Sequence, residues 1–189
     1  TNLFVYDVTQ EKVQYTIKNV GSMTQVAFSY NNRFLAFLKD AEWEVATDLY
    51  LLDMEAEEKN KSFVSVVQYD GNAKAAGPLL WSKDNLELYF VEEATYGTVN
   101  AKGILKRFSF KKNKVEEVYD LNEDNTRIAN YYYSPLGKKL ALIIRELDEN
   151  LDKSKYGLLI LNEGKFAYGT MLDNWKSTVE LQQGGEVSS

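Results

Sequence analysis

The chain has 189 residues, of which 44% are hydrophobic and 26% are charged, and this composition is typical of a globular domain. Its formal net charge of −6 at pH 7 disfavours nucleic acid and anionic lipid as main partners, since both are bound through concentrated Lys and Arg. No apolar run approaches the roughly 20 residues that a membrane-spanning helix requires, so insertion into a membrane is not expected.

The first 18 residues predict two strands joined by a polar turn. The segments LFVYDV and KVQYTI have the alternating apolar pattern of strands with one buried face. They match the third and fourth strands of the units that follow, with Asp7 in the position of Asp53. Residues 1–18 are therefore predicted to form half of a four-stranded unit.

Three complete units of four strands follow along the chain. In the first, the segments TQVAFS, RFLAFLK, DLYLLDM and SFVSVVQ are rich in the β-branched and aromatic residues that strands favour, and polar turns separate them. The second unit repeats this order with GPLLWS, LELYFVE, GILKRFSF and KVEEVYD, and the third with IANYYYS, KKLALIIR, YGLLILN and KFAYGT. No segment sustains the spacing of an amphipathic helix, which predicts an all-β protein.

A serine marks the end of the first strand in every unit. Ser29, Ser82 and Ser134 lie 53 and 52 residues apart, each with an aromatic residue before it and a leucine six residues after it. Four antiparallel strands repeated with such a period are typical of β-propeller blades, in which the first strand is innermost and the fourth is outermost. We predict a single domain over residues 1–189, with a half blade at 1–18, blades at 19–70, 71–121 and 122–170, and a remnant at 171–189.

The ends of the chain leave the ring open to three interpretations. The remnant offers at most one more strand, at Trp175–Leu181, whereas a closed propeller has about four to eight blades. The chain is therefore part of a larger propeller, a compact four-bladed ring closed by its two ends, or an open array. An open array exposes unpaired strand edges, and these favour self-association.

The repeated serines are predicted to stabilise hairpins rather than to react. A serine hydroxyl at the start of a turn can bond to the backbone two residues on, and the Asn, Asp or Gly residues that follow tolerate tight turn geometry. The aromatic residues before the serines, Phe28, Trp81 and Tyr133, are expected to pack between neighbouring blades.

The same residues resemble the repeat of TolB-like propellers and of the propeller domain of dipeptidyl-peptidase-IV-like enzymes. The first unit carries the aromatic–Ser pair, the Leu-Ala-Phe run and the sequence Asp48-Leu49-Tyr50 with Asp53 after it. The third unit keeps Pro135 and Gly137, which the other two lack. The resemblance covers about residues 16–170 and implies the propeller fold, within which functions are diverse.

The chain contains neither histidine nor cysteine. Their absence excludes a Ser-His-Asp triad, a thiolate nucleophile and a zinc site with these ligands, and no GxSxG motif occurs. We therefore expect no enzymatic activity from this chain and predict no cofactor. The lack of cysteine also fits a location outside the cytoplasm, and we expect a periplasmic, cell-surface or secreted protein.

Three long loops between the second and third strands are the candidate binding surface. They span residues 39–47, 92–102 and 145–155 and together carry a net charge of −4. In a propeller these loops share one face, and loops on a rigid scaffold are where binding usually resides. The residues predicted to contact a protein, peptide or glycan partner are Trp43, Glu44, Glu93, Tyr96 and Asp148.

Two polar runs resemble calcium-binding loops only in part. Asp148, Asn150 and Asp152 alternate along one run, and Asp120, Asn122 and Asp124 alternate along the other. Both runs lack the glycine at the sixth position and the glutamate at the twelfth that an EF-hand loop uses. We therefore expect no metal site and keep the first run as a weak candidate.

Two functions remain open from the sequence. The first is a noncatalytic TolB-like propeller that binds a partner through the acidic, aromatic loop face. The alternative is an accessory domain of a larger hydrolase or peptidase whose catalytic domain lies outside this chain. A propeller glycosidase is a weaker third, since it requires two facing carboxylates at the channel mouth.

Overall fold

A computed structural model gives the fold as fourteen antiparallel strands in four sheets. It describes residues 2–18, 20–40, 47–56, 64–69, 73–94, 103–121, 126–134, 139–146, 155–162 and 165–172. All regular elements in these ranges are strands, which confirms the all-β prediction.

The N-terminal ribbon is a two-stranded sheet, and each of the three sheets after it has four strands. The ribbon consists of β1 (Leu3–Asp7) and β2 (Lys12–Ile17). Sheet 1 consists of β3 (Met23–Phe28), β4 (Phe34–Asp40), β5 (Thr47–Asp53) and β6 (Val64–Val67). Sheet 2 consists of β7 (Ala73–Trp81), β8 (Glu87–Ala94), β9 (Gly103–Ser109) and β10 (Lys114–Asp120). Sheet 3 consists of β11 (Thr126–Tyr133), β12 (Lys139–Glu146), β13 (Lys155–Asn162) and β14 (Lys165–Leu172).

Each four-stranded sheet pairs its strands in chain order. The first and fourth strands are therefore the two edges of the sheet, as the blade prediction requires. The predicted outer strand KVEEVYD is β10, at the edge of sheet 2. Strand β14 extends to Leu172, past the predicted end of the third blade at residue 170. The predicted last strand at 175–181 lies outside the described residues.

The serine hairpins have the same geometry in sheets 1 and 2. The hydroxyl of Ser29 donates to the side chain of Asn31, at 2.7 Å, and accepts the backbone N–H of Phe34, at 2.9 Å. Ser82 does the same with Asp84 and Glu87, at 2.6 and 2.9 Å. The predicted bond from the serine to the backbone two residues on was wrong, because the side chain at that position is the acceptor.

The sheets pack face to face, and each has two distinct faces. We define the leading face of a sheet as the one directed towards the preceding sheet in the chain, and the trailing face as the one directed towards the next. On the leading face of sheet 1, Leu35, Phe37, Tyr50 and Leu52 pack against the ribbon. On its trailing face, Ala36, Leu38, Leu49 and Leu51 pack against Trp81, Leu88 and Phe90 of sheet 2.

The same polarity is repeated at every junction between sheets. The trailing face of sheet 2, with Tyr89, Val91 and Leu105, packs against the leading face of sheet 3, with Leu140 and Leu142. The ribbon covers sheet 1 with its own trailing side, which carries Leu3, Val5, Tyr15 and Ile17. All three junctions therefore join a trailing face to a leading face, and they hold the hydrophobic core.

The aromatic residue before each serine is buried in only part of the repeat. Trp81 is 2% exposed, stacks on Phe34 and Phe110, and donates its Nε1–H to the carbonyl of Ala27 at 3.1 Å. Tyr133 packs at the junction between sheets 2 and 3. Phe28 is 47% exposed, so the expectation was wrong for this residue. The ribbon matches only the third and fourth strands of a blade, so within the described ranges no first or second strand of a preceding blade lies beside Phe28.

The candidate binding loops are shorter than the sequence predicted. Strand β4 continues to Asp40, which pairs with Thr47 at the start of β5. Strand β8 continues to Ala94, with Glu93 paired to Gly103 of β9. The ladders extend because antiparallel pairing satisfies backbone groups that a loop would leave to water. The connections between paired strands are therefore residues 41–46, 95–102 and 147–154.

Candidate functional site

A polar cleft of about 360 Å³ lies between sheets 1 and 2, beside the ends of two candidate loops. From sheet 1 its wall includes Asp40 and Thr47, which flank the first loop, together with Thr24 and Gln25 of β3. From sheet 2 its wall includes the segment 74–77 of β7. The cleft therefore adjoins the rim on which the sequence placed the binding face, and we call it the rim cleft.

The innermost strands of sheets 1 and 2 approach closely at the base of the rim cleft. A Cβ atom added at Gly77 would lie 1.7 Å from Oε1 of Gln25, so a side chain at position 77 would force the Gln25 amide to move. Because Gly77 has no side chain, the Gln25 amide can pack directly against the backbone of β7 in the cleft wall. On the sheet 1 side, the cleft wall thus presents the Gln25 amide beside the hydroxyl groups of Thr24 and Thr47.

Opposite charges face each other across the rim cleft. Asp40 lies on the sheet 1 side, with the Thr47 hydroxyl 3.5 Å from its Oδ1. Lys74 lies on the sheet 2 side, and its Nζ is 3.6 Å from Oε2 of Glu93. The Lys74 side chain is 38% exposed and that of Glu93 is 13% exposed. A ligand that enters the cleft therefore meets a carboxylate on one side and an ammonium group on the other.

A half-buried network links sheets 1 and 2. Asp48, the aspartate of the Asp-Leu-Tyr motif, is buried and accepts the backbone N–H of Tyr69 at 3.0 Å and the Tyr50 hydroxyl at 3.3 Å. The Tyr69 hydroxyl donates to Glu92 at 2.8 Å, and Lys106 forms an ion pair with the same carboxylate. Burial, followed by the bond to Glu92, raises the pKa of Tyr69. The side chains of this network therefore connect strands of sheets 1 and 2, and they form hydrogen bonds and an ion pair with one another.

A second network lies at the junction of sheets 2 and 3. The Tyr133 hydroxyl donates to that of Tyr89 at 2.5 Å, and Tyr89 donates to Glu87 at 2.6 Å. Arg107 bridges Glu87 and Glu116, at 2.8 and 3.1 Å. Burial, followed by the bond to Glu87, raises the pKa of Tyr89. The tyrosines therefore stay neutral near pH 7 and do not supply a phenolate base.

Only one of the five predicted contact residues belongs to the described part of the chain. Glu93 is the next to last residue of β8 and is ion-paired with Lys74. Trp43, Glu44, Tyr96 and Asp148 lie outside the described residues, so the structure does not test whether they share a surface with Glu93.

Sequence reasoning did not single out the residues that line the rim cleft. Asp40 and Thr47 fell inside a predicted loop, and Lys74 and Gly77 fell in or beside the predicted connection between blades. The cleft forms because β3 packs beside β7, and a contact between strands some 50 positions apart leaves no periodic pattern in the sequence. The one available signal was Gly77 inside a strand pattern, since such a glycine often marks close backbone approach.

Neither a metal centre nor a membrane span is found in the described ranges. The residues placed there contain no group of three or more acidic, histidine or cysteine side chains that could hold a metal ion. The candidates Asp148, Asn150 and Asp152 lie outside those ranges. No helix in the described part of the chain is long and apolar enough to cross a membrane.

The chain is similar to solved protein structures, although it has no match among family models or curated proteins. A chain of Clostridium novyi NT that is named a conserved lipoprotein matches with a TM-score of 0.59 and 17% identity, over 77% of this chain and 90% of that one.

Proteases are among the similar structures. The β-propeller domain of the trilobed protease of Pyrococcus furiosus matches with a TM-score of 0.60 and 15% identity, over 91% of this chain and 49% of that one. Dipeptidyl peptidase 4 of Porphyromonas gingivalis matches with a TM-score of 0.61 and 15% identity, over 88% of this chain and 28% of that one. The chain thus spans less than half the length of both. At these identities the likeness shows the fold alone, and it confirms that the chain is built of β-propeller blades.

Proposed function

We propose that the chain is a noncatalytic binding module whose loop rim receives a protein, peptide or glycan partner. The observation that carries the proposal is the rim cleft, a polar recess of about 360 Å³ between sheets 1 and 2, lined by Asp40 and Thr47 at the two ends of the first predicted loop and by Lys74, which is ion-paired with Glu93. Binding residues are disproportionately found on loops held by a rigid scaffold, and ligand sites are concave with a few placed polar groups.

Charge favours a basic partner among those classes. The three predicted loops carry a net charge of −4. One of their carboxylates, that of Asp40, lines the rim cleft, with Lys74 on the other side. Acidic groups around a recess attract cationic partners and raise their association rate more than they tighten the complex. A lysine- or arginine-rich peptide segment is the partner that this surface fits best.

The noncatalytic part of the proposal is supported by the available side chains. The chain has no histidine or cysteine, and Tyr69 and Tyr89 are held neutral by burial. The carboxylates of buried Asp48 and half-buried Glu92 are hydrogen-bonded or ion-paired to neighbouring groups. These tyrosines and carboxylates are therefore engaged by their neighbours and are poor candidates for a general base.

Selection from a library of displayed random peptides, with a glycan array beside it, tests the function. We expect the selected peptides to be rich in Lys and Arg. A selected peptide, labelled and titrated by fluorescence anisotropy, should bind the variants Trp43→Ala and Tyr96→Ala about tenfold more weakly. Asp40→Asn should lower the association rate and weaken its dependence on salt.

The matched control is the double variant Lys138→Ala, Lys139→Ala. Lys139 is the first residue of β12, at the opposite end of that strand from Glu146 and the third predicted loop, and Lys138 precedes it in the sequence. Binding should be unchanged in this variant. Loss of binding in the lysine variant with retention in the aromatic variants would place the function on the other face.

The second candidate is an accessory domain of a larger hydrolase or peptidase. Its support is the likeness to the propeller domain of the trilobed protease and to dipeptidyl peptidase 4, both more than twice as long as the matched region. Reading the coding sequence on both sides distinguishes the candidates. An adjoining α/β-hydrolase pattern would favour the accessory domain, and further blades alone would favour the binding module.

A location outside the cytoplasm completes the proposal. It is supported by the likeness to a chain that is named a conserved lipoprotein. Fractionation of cells that express the protein from its own gene, with immunodetection in each fraction, tests the location.

A further inference from the structure

The carboxylate of Asp40 lines the rim cleft, and no lysine or arginine of the described ranges forms an ion pair with it. Asp40 is half-buried, and the Thr47 hydroxyl lies 3.5 Å from its Oδ1. Across the cleft, Nζ of Lys74 lies 3.6 Å from Oε2 of Glu93, so the charge of Lys74 is compensated within sheet 2. A cationic group of a ligand can therefore pair with Asp40 without breaking an existing ion pair.

Two further oxygen acceptors of sheet 1 line the rim cleft beside this carboxylate. Thr47 of β5 pairs directly with Asp40 at the end of β4. Gln25 of β3 pairs with Leu38, two residues before Asp40. Because side chains two residues apart in a strand lie on the same face, Gln25 belongs to the face of sheet 1 that carries Asp40. Three adjacent strands thus present an amide, a carboxylate and a hydroxyl group to one recess.

The rim cleft also has an apolar part. Leu38 of sheet 1 and Ala75 of sheet 2 are both buried and both line the recess. Gly77 contributes backbone without a side chain, and this keeps the recess open beside the Gln25 amide. A long side chain can lay its hydrocarbon stem on such a surface while its charged end reaches polar partners. The recess therefore combines the two features that a long cationic side chain requires.

We infer that the rim cleft binds the primary ammonium group of a lysine side chain and binds an arginine side chain much more weakly. The inference rests on the proposed function, and it names the group of the basic partner that enters the cleft. An ammonium group has three N–H donors and no acceptor. Its complement is the set of acceptors in the recess, namely the Asp40 carboxylate, the Thr47 hydroxyl oxygen and the Gln25 carbonyl oxygen.

An arginine side chain fits the same acceptors less well. A guanidinium group is planar, and it binds a carboxylate best through two parallel hydrogen bonds, one to each oxygen. In the rim cleft, Oδ1 of Asp40 already accepts the Thr47 hydroxyl, so the planar group would have to displace that hydroxyl. The compact ammonium group can instead use acceptors that belong to separate strands, because its three donors are not confined to one plane.

Titration of the isotopically labelled full chain with blocked single amino acids, followed by NMR, tests the inference without an identified partner. The probes are Nα-acetyl-lysine methylamide, its arginine analogue, and the lysine compound with an acetylated ε-amino group. We expect the lysine compound to shift the backbone signals of Gln25, Asp40 and Thr47 with a dissociation constant of about 1–10 mM. The arginine and acetylated compounds should bind about tenfold more weakly or less tightly still, because one cannot place its donors and the other has no charge.

Variants that keep the shape of the cleft assign the effect to its acceptors. Asp40→Asn removes the charge and should weaken binding of the lysine compound about tenfold. Thr47→Val removes the hydroxyl from a half-buried position and should weaken it about threefold. The matched control is Glu117→Gln, which neutralises an exposed carboxylate of β10 outside the cleft and should leave binding unchanged. Backbone signals away from the cleft report whether each variant keeps its fold.

Failure of the inference can be told apart from failure of the proposed function. Equal binding of the lysine and arginine compounds, or unchanged binding in Asp40→Asn, would overturn the inference. So would a selected peptide that binds equally well after its lysines are replaced by arginine, although the binding module itself would then stand. A peptide library that yields no binder would count against the proposed function, and the lysine titration would still decide whether the cleft holds an ammonium group.

Discussion

The backbone N–H of Asn31 donates a hydrogen bond to Oδ1 of Asn85 over 3.1 Å, and so joins the hairpin turns of sheets 1 and 2. Asn85 has a φ of 61°, and Asn32 occupies the equivalent position of the first hairpin with a φ of 59°. The repeated turn therefore has two structural roles: it closes its own hairpin, and it connects neighbouring blades through a hydrogen bond.

Replacing Asn85 by glycine separates these two roles. Glycine retains the positive φ but loses the acceptor for Asn31, so Asn85→Gly should lower the free energy of unfolding by about 0.5 kcal/mol more than Asn32→Gly does. Urea unfolding of both variants measures the difference. Equal losses would show that the bond between the hairpins contributes nothing.

The serine hydroxyl in sheet 2 should contribute more to stability than the one in sheet 3. Ser82 is 7% exposed, and its hydroxyl makes bonds of 2.6 and 2.9 Å. Ser134 is less buried, and its hydroxyl accepts the Lys139 N–H at 3.4 Å. We expect Ser82→Ala to cost about 1 kcal/mol, because the half-buried Glu87 N–H loses its hydrogen-bond acceptor, and Ser134→Ala to cost less. Denaturant unfolding decides the order.

The stability of the second hairpin should depend on acid pH. The hydrogen bonds from the Ser82 hydroxyl and the Leu86 N–H lower the pKa of Asp84 below its usual 3.8. A depressed pKa in the folded state contributes stability above the unfolded-state value, and this stability is lost as pH falls through the folded-state pKa. Asp84→Asn should therefore flatten the decline in unfolding free energy below about pH 4.

The residue aligned with Asp84 in sheet 1 supplies the matched control. Asn31 accepts the hydroxyl of Ser29, the serine equivalent to Ser82, and its amide does not titrate. Asn31→Asp should therefore make the free energy of unfolding depend on acid pH at this hairpin. Unfolding by urea at a series of pH values measures both variants. An unchanged slope in Asp84→Asn would show that this carboxylate is not responsible.

The strands could be predicted from sequence because they depend on local patterns, whereas the cleft and the exposed ends could not. The apolar runs of β4 and β8 and the serine with its turn predict strands and hairpins wherever they occur. Asp7 also behaves as its alignment with Asp53 predicts, since both carboxylates accept backbone N–H groups of the following turn. Phe28 shows the limit, because it has the same position in the repeat as Trp81, yet Phe28 is 47% exposed and Trp81 is 2% exposed.

The different burial of Trp81 and Phe28 predicts a large loss of stability when Trp81 is replaced by alanine and a small one when Phe28 is. Trp81→Ala removes a buried ring that stacks on Phe34 and Phe110 and bonds to Ala27, so it should cost about 3–5 kcal/mol. Phe28→Ala removes a ring that is 47% exposed and should change stability by about 0.5 kcal/mol or less at low protein concentration. Thermal melting of both variants tests the contrast, and a large loss in Phe28→Ala would show that something covers this ring.

The ribbon should be essential to the stack, because its trailing side covers the leading face of sheet 1. Deleting residues 1–18 exposes the buried side chains of Leu35, Phe37, Tyr50 and Leu52. Exposure of these side chains should lower Tm by roughly 10 °C and cause aggregation visible by light scattering. A truncated protein that remains monomeric and equally stable would contradict the assigned role.

Point variants in the ribbon separate its covering side from its exposed side. Val5 packs against sheet 1, whereas its neighbour Tyr6 is exposed on the leading face. Val5→Asp places an unpaired charge in the junction, where burial without a partner is costly, and it should reproduce much of the effect of the deletion. Tyr6→Asp places the same charge in solvent and should leave Tm at low protein concentration nearly unchanged. Equal effects of the two variants would mean that the ribbon does not pack on sheet 1 through the side that carries Val5.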